Sequence, residues 1–237
     1  MSANKWMPLI QFLGYGLSKK CAEILFLGLD EKAPERNYEQ NLRARLKFER
    51  IEDLREAHEQ KFGPAADVNP FAQNGNPVRQ WNTASRFALA IEGHPDWNIR
   101  TEWGRYWREQ LGWRHGNTFL MECFPIPRPN GNWHPPEALQ LPPDNEVWAE
   151  RCPVLQAYLK KCPPKYVIAY GRATKDKASE LFSIPDGGWT PIPNVDRPAS
   201  IARSGHTCIA HVGFFGRQFF VNCDIPMIVA ALKRQCK

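Results

Sequence analysis

Four short, nearly unbroken apolar runs constrain the fold of this chain more than any other feature. Glu23–Gly28 (EILFLG), Thr118–Phe124 (TFLMECF), Tyr166–Gly171 (YVIAYG) and Thr207–Val212 (TCIAHV) are each of strand length, and each is closed by Gly or Pro. A strand with one wet face alternates; a continuous run is what a strand covered on both faces requires. Helix-like segments lie between the runs, at Tyr38–Lys61, Thr83–Glu92, Thr101–Leu111, Glu146–Lys160 and Thr174–Phe182, with Ile225–Gln235 after the last. That order predicts one α/β domain spanning residues 1–237. It would be a three-layer sandwich, a central parallel sheet of about four strands flanked by helices, with a helical and loop insertion at about 35–115.

The 237 residues are 43% hydrophobic, enough for a substantial core. No run approaches the roughly 20 apolar residues of a membrane span. The opening MSANKWMPLIQFLGYG has no small-residue cleavage site and reads as structure rather than a signal peptide. A cytoplasmic, monomeric protein is expected. The seven cysteines are odd in number and form no C-x-x-C or zinc-type spacing, which speaks against metal or iron–sulfur ligation and for free buried thiols in a reducing compartment. The net charge of +6 suits a nucleic-acid partner. The long loops 62–81, 125–145 and 183–205 are candidates for functional surface, the last as one extended excursion. The charged stretch 43–59 reads as a solvated helix face, with a lid or partner helix as the alternative.

In an open parallel sheet, ligands bind beyond the carboxyl ends of the strands. There the runs deliver Asp30 after Gly28-Leu29, Glu122 within the second, and His211 in the fourth, followed by Gly213-Phe214-Phe215. An Asp after a strand commonly caps a helix or shapes a turn, and a strand histidine is commonly a satisfied core residue. Glu122 is harder to dismiss, because an ionised carboxylate in an apolar strand costs several kcal/mol or shifts its pKa.

Gly28-Leu29-Asp30 resembles the water-activating Gly-x-Asp motif of the uracil-DNA glycosylase superfamily, and GFFGRQFFVN (213–222) after His211 is similar to the segment after that family's catalytic histidine. The resemblance spans about residues 23–222 and implies a uracil-DNA-glycosylase-like fold. It further implies Asp30 and His211 as catalytic residues, with His206 as the alternative histidine. Asp30-Glu31-Lys32 stands where the family has Asp-Pro-Tyr, so Lys32 implies a pocket open toward a pyrimidine 5-substituent. The family's base-reading Asn falls at about Met121–Glu122, and a Glu there suits the amine of cytosine rather than uracil. The family's His-Pro-Ser-Pro-Leu-Ser loop is absent, leaving Phe214 or Phe215 to replace its intercalating Leu.

The expected activity is that of a monofunctional DNA glycosylase without cofactor, excising a non-standard pyrimidine such as a 5-modified cytosine of phage DNA, hence antiviral defence. Trp81, Phe124 and Trp133 are the candidates to sandwich a flipped base, and Arg128, Arg197, Arg203 and Arg217 to contact phosphates. Two other classes remain: a glycosylase-like module that binds without chemistry, and a nucleoside or nucleotide hydrolase. The absence of G-x-x-x-x-G-K-[ST] disfavours triphosphate binding.

Overall fold

The computed structural model describes residues 3–17, 20–32, 37–63, 69–71, 78–128, 141–215 and 222–236. Each apolar run forms a strand of one sheet: β2 (Ile24–Lys32), β4 (Thr118–Arg128), β5 (Tyr166–Tyr170) and β8 (Thr207–Val212). β4, β2, β5 and β8 are neighbours in that order, each parallel to the next. Alternation along β2 shows why its sequence is continuous. Leu25 and Leu27 enter one hydrophobic cluster, Ile24 and Phe26 the other, and all four are at most 2% exposed. The first cluster is roofed by α1 (Ala3–Gln11), α2 (Tyr38–Arg45), α6 (Asp144–Lys161) and α7 (Thr174–Leu181). The second is roofed by α4 (Arg79–Glu92), α5 (Arg100–Glu109) and α8 (Ile225–Gln235).

The expectation of about four strands is corrected to eight in a mixed sheet, ordered β3-β1-β4-β2-β5-β8-β7-β6. β1 (Gly14–Gly16) and β3 (Ile51–Glu52) extend one side, with β1 antiparallel to β4. β6 (Thr190–Pro191) and β7 (Ser200–Ser204) extend the other, with β7 antiparallel to β8 across the Gly205–His206 turn. Residues 183–205 are therefore partly sheet, not one surface excursion. These strands are two to five residues long, too short to leave a periodicity.

The helix expected over Tyr38–Lys61 is also corrected: the chain there forms α2, β3, α3 (Leu54–Glu56) and a π-helical turn, Ala57–Phe62. The face buried by α2 is Tyr38, Asn41, Leu42 and Arg45, so part of the supposedly solvated stretch points inward. The cysteines differ as well. Cys21 is disulfide-bonded to Cys162 and Cys208 to Cys236, while Cys123 and Cys152 are buried and free. The pairs are 141 and 28 residues apart, a proximity created by the fold and not by local spacing. Among the described residues no helix is long and apolar enough to cross a membrane.

Candidate active site

A cavity of about 530 Å³ lies across the carboxyl ends of β2, β4 and β5. Asp30 and Glu122 both line it. The sheet register explains their meeting: Gly28 pairs with Glu122 and Asp30 with Phe124, so the two acids come from adjacent parallel strands one pleat apart. Tyr170, ending β5, donates its hydroxyl to Glu122 Oε1 at 3.1 Å. Glu122 Oε2 is buried and has no partner among the described residues. A side chain at Gly28 would run into both Glu122 carboxylate oxygens and the Tyr170 hydroxyl, so the glycine is what lets this pair close over β2.

The electrostatics follow from burial. The Glu122 carboxyl is pushed well above the ordinary carboxylate range, first by burial and next by the charge on Glu31, while the Tyr170 bond opposes the shift. A carboxyl that keeps its proton offers one donor and one acceptor. Burial likewise pushes the Tyr170 hydroxyl up, with the Glu122 carboxyl beside it adding to the shift, so Tyr170 is a neutral phenol. Behind Glu122, the fully buried Arg151 of α6 spreads its guanidinium over four backbone carbonyls: Glu122 at 2.8 Å, Cys123 at 2.9 Å, Ile10 at 2.9 Å and Phe12 at 2.6 Å. This clamp fixes the strand that carries the acid.

Aromatic groups complete the walls. Phe215 stacks on Tyr170 at 4.4 Å and on Phe87 at 5.7 Å. Phe215 is therefore buried wall, not a wedge, whereas Phe214 lines the mouth and is 41% exposed. Trp81 lines the cavity with its ring 5.3 Å from that of His58. Leu29 also lines it.

Other expected residues lie elsewhere. His211 is on the opposite face of the sheet: it pairs with Ala169, which faces the first cluster with Leu27 and Met121, whereas Tyr170 faces the second. Its Nε2 donates to the Gly171 carbonyl at 3.0 Å, its ring meets Trp189, and burial lowers its pKa. It supports the cavity wall at Gly171 rather than lining the cavity. His206 occupies the β7–β8 turn, at the end of the sheet away from the cavity. Arg203 bonds the carbonyls of Gly205 and Gln235 at that same end. Phe124 belongs to the first cluster, against Trp148, because alternation breaks after Glu122 and Cys123 and Phe124 both enter it. Arg197 is exposed and donates its backbone N–H to Asp224. Lys32 and Arg128 are described as paired strand residues only, and Trp133 and Arg217 lie outside the described residues.

Sequence reasoning missed the β1 side of the cavity, where Glu31, Asn41, Arg45 and His58 stand. Arg45 is ion-paired to Glu31, donates its Nε–H to Asn41 Oδ1 at 2.8 Å, and is 4% exposed. The signal was present in the spacing 38, 41, 42, 45, one stripe of a helix mixing Tyr and Leu with Asn and Arg. Among the described residues, the one group with metal-ligand proximity is Asp196, Cys223 and Asp224, and the Asp224 oxygens already accept two backbone N–H groups. No protein-family model matches the chain, and no curated protein matches it in sequence.

Proposed function

We propose that the chain is a monofunctional DNA glycosylase of the uracil-DNA glycosylase type, hydrolysing the N-glycosidic bond of a non-standard pyrimidine to leave an abasic site. The observation that carries this reading is the meeting of Asp30 and a proton-retaining Glu122 in one cavity at the carboxyl ends of parallel strands. The parallel order β4-β2-β5-β8, with helices over both faces, supports the same reading.

The target nucleotide flips out of the duplex, at a cost of a few kcal/mol in unstacking, and its base enters beside the Tyr170–Phe215 stack. A protonated Glu122 matches the pairing edge of cytosine, donating its O–H to N3 and accepting from the N4 amine. When the C1′–N1 bond breaks, its electron pair leaves with the base and the sugar takes on oxocarbenium character. The Asp30 carboxylate stabilises that cation and orients the water that adds to C1′; the water's proton ends on the departing base. With His211 behind the wall, Arg172, an exposed cation that lines the cavity, takes the role of balancing the negative charge on the base. Exposed Phe214 at the mouth is the group available to fill the gap left in the duplex. A cytosine modified at C5 as substrate makes defence against phage with such DNA the biological setting.

The test is an abasic-site assay on duplexes containing uracil, cytosine, 5-hydroxymethylcytosine or its glucosylated form, with wild type and Asp30→Asn. Alkali-labile breaks in at least one duplex, lost in Asp30→Asn, are expected. DNA binding without breaks in any duplex would replace this reading with that of a non-catalytic binding module. Neither binding nor breaks would point to free nucleosides or nucleotides.

A further inference from the structure

The cavity has two chemically different ends, set by the order of the sheet. Tyr170 and Phe215 stand on the β5 side, Asp30 and Glu122 in the middle, and Glu31, Asn41, Arg45 and His58 on the β1 side. Its volume of about 530 Å³ falls within the range of pockets that enclose a drug-sized ligand. A lone pyrimidine beside Glu122 would leave the β1 side empty.

That side is polar at a depth where polar groups are costly. Arg45 and Asn41 are 4% and 5% exposed. Burial opposes the charge on Arg45, but Glu31 and Tyr15 beside it hold the guanidinium charged. Apolar residues of similar size would close a wall here at no loss of stability, since buried ion pairs seldom repay their desolvation. The groups are also incompletely used. Among the described residues, Arg45 gives one N–H each to Asn41, Tyr15 and Glu31, leaving two of the five donors of a guanidinium. Glu31 uses only Oε2 in these bonds. His58 lines the cavity between Phe62 and Trp81, and its Nδ1 is buried with no partner among the described residues. Buried polar atoms without partners call for an explanation, and a ligand is one.

The charge balance narrows the ligand. Among the described residues on the β1 side, Arg45 and Glu31 neutralise each other, and burial keeps His58 uncharged, so a charged group would find no free countercharge there. Donors and acceptors in mixed supply against an aromatic wall suit a neutral group with several hydroxyls. We propose that Glu31, Asn41, Arg45 and His58 form a subsite for a neutral, hydroxyl-bearing substituent carried by the flipped base. This rests on the glycosylase reading of the same cavity.

The experiment measures kcat/KM for base excision from duplexes containing cytosine, uracil, 5-hydroxymethylcytosine or glucosylated 5-hydroxymethylcytosine. The proteins are wild type, His58→Phe and Asn41→Leu, each checked for its melting temperature. Wild type is expected to prefer a hydroxyl-bearing base over its unsubstituted parent by about a hundredfold or more, as sites built to bond a hydroxyl do. Each variant is expected to lower that preference about tenfold, the worth of one hydrogen bond, with KM for the substituted base rising. Should one variant fail to fold, the other carries the comparison. Excision indifferent to the substituent would overturn the subsite and leave the glycosylase standing. An equal loss on substituted and unsubstituted bases in the folded variants would reduce these residues to cavity wall, and overturn it too. No excision from any duplex would overturn both readings together.

Discussion

The Tyr170 hydroxyl donates to Glu122 Oε1 at 3.1 Å, and Glu122 Oε2 lies buried beside it with no partner among the described residues. A carboxylate so placed would carry an unsatisfied charge, so the folded chain holds the proton there above the ordinary value of 4.5. The unfolded chain releases it near that value. The stability present below about 4.5 is therefore lost as pH rises through the raised pKa, because the folded state binds the extra proton. Glu122→Gln keeps the shape and the donor without the titration. Urea unfolding of both proteins across this range should show Gln increasingly favoured over Glu as pH rises. A constant difference would mean that Glu122 ionises like an exposed carboxyl.

His58 works in the opposite sense. Burial lowers its pKa from 6.5 to about 4, with the charges of Glu31 and Arg45 as smaller and opposing influences. Between those values the unfolded chain binds the proton and the folded chain does not. Its contribution is present above 6.5 and lost as pH falls toward 4, up to about 3 kcal/mol at 1.4 kcal/mol per pKa unit. His58→Phe should flatten the acid limb of the stability curve by that amount, measured by denaturant unfolding at successive pH values. An unchanged acid limb would show that other groups set it.

The sequence made the acids legible for a thermodynamic reason: a Glu inside TFLMECF is expensive, so it must have an assignment. His211 was misplaced because strand-end logic gives the end of the sheet but not its face. Face depends on register, and only the pairing of Ala169 with His211 shows that the imidazole stands behind the cavity wall. Arg45 and Asn41 were hidden by composition, since a charged stretch reads as solvated until its helix is seen to stop at Arg45 and β3 to follow. The disulfides were hidden for a third reason: Cys21 and Cys162 are joined only once β2 and α6 are packed.

Those bridges make a separable prediction. Cys208 is the second residue of β8, opposite Tyr166, and Cys21 precedes β2, so both lie at the strand ends away from the cavity. Each bridge constrains the unfolded chain, and the one closing 141 residues constrains it more than the one closing 28. Chain-entropy arguments give about 2–4 kcal/mol apiece, with the longer loop at the upper end. Thermal melts with and without reductant, and of Cys21→Ser, should show that loss while, under the proposed activity, base excision below the melting range persists. Identical melts in both conditions would mean that the cysteines are free thiols in solution.

Arg151 offers the most direct link between fold and site. It is fully buried on α6 without a carboxylate partner among the described residues, and its charge is satisfied by the carbonyls of Ile10, Phe12, Glu122 and Cys123. Bonds from a charged donor are worth about 1.5–3 kcal/mol each, and carbonyls stripped of them in a dry interior are costly. Arg151→Met should therefore destabilise the chain by at least about 3 kcal/mol even though Met fills much of the space. Arg151→Lys should recover only part of this, because an ammonium cannot span the fork that joins α1 to β4. Under the proposed activity, the Lys variant should also lose excision below its melting range, since β4 carries Glu122 on the segment the guanidinium holds. Full stability in Arg151→Met would show that the carbonyls find other partners, and would remove the clamp from any account of how Glu122 is positioned.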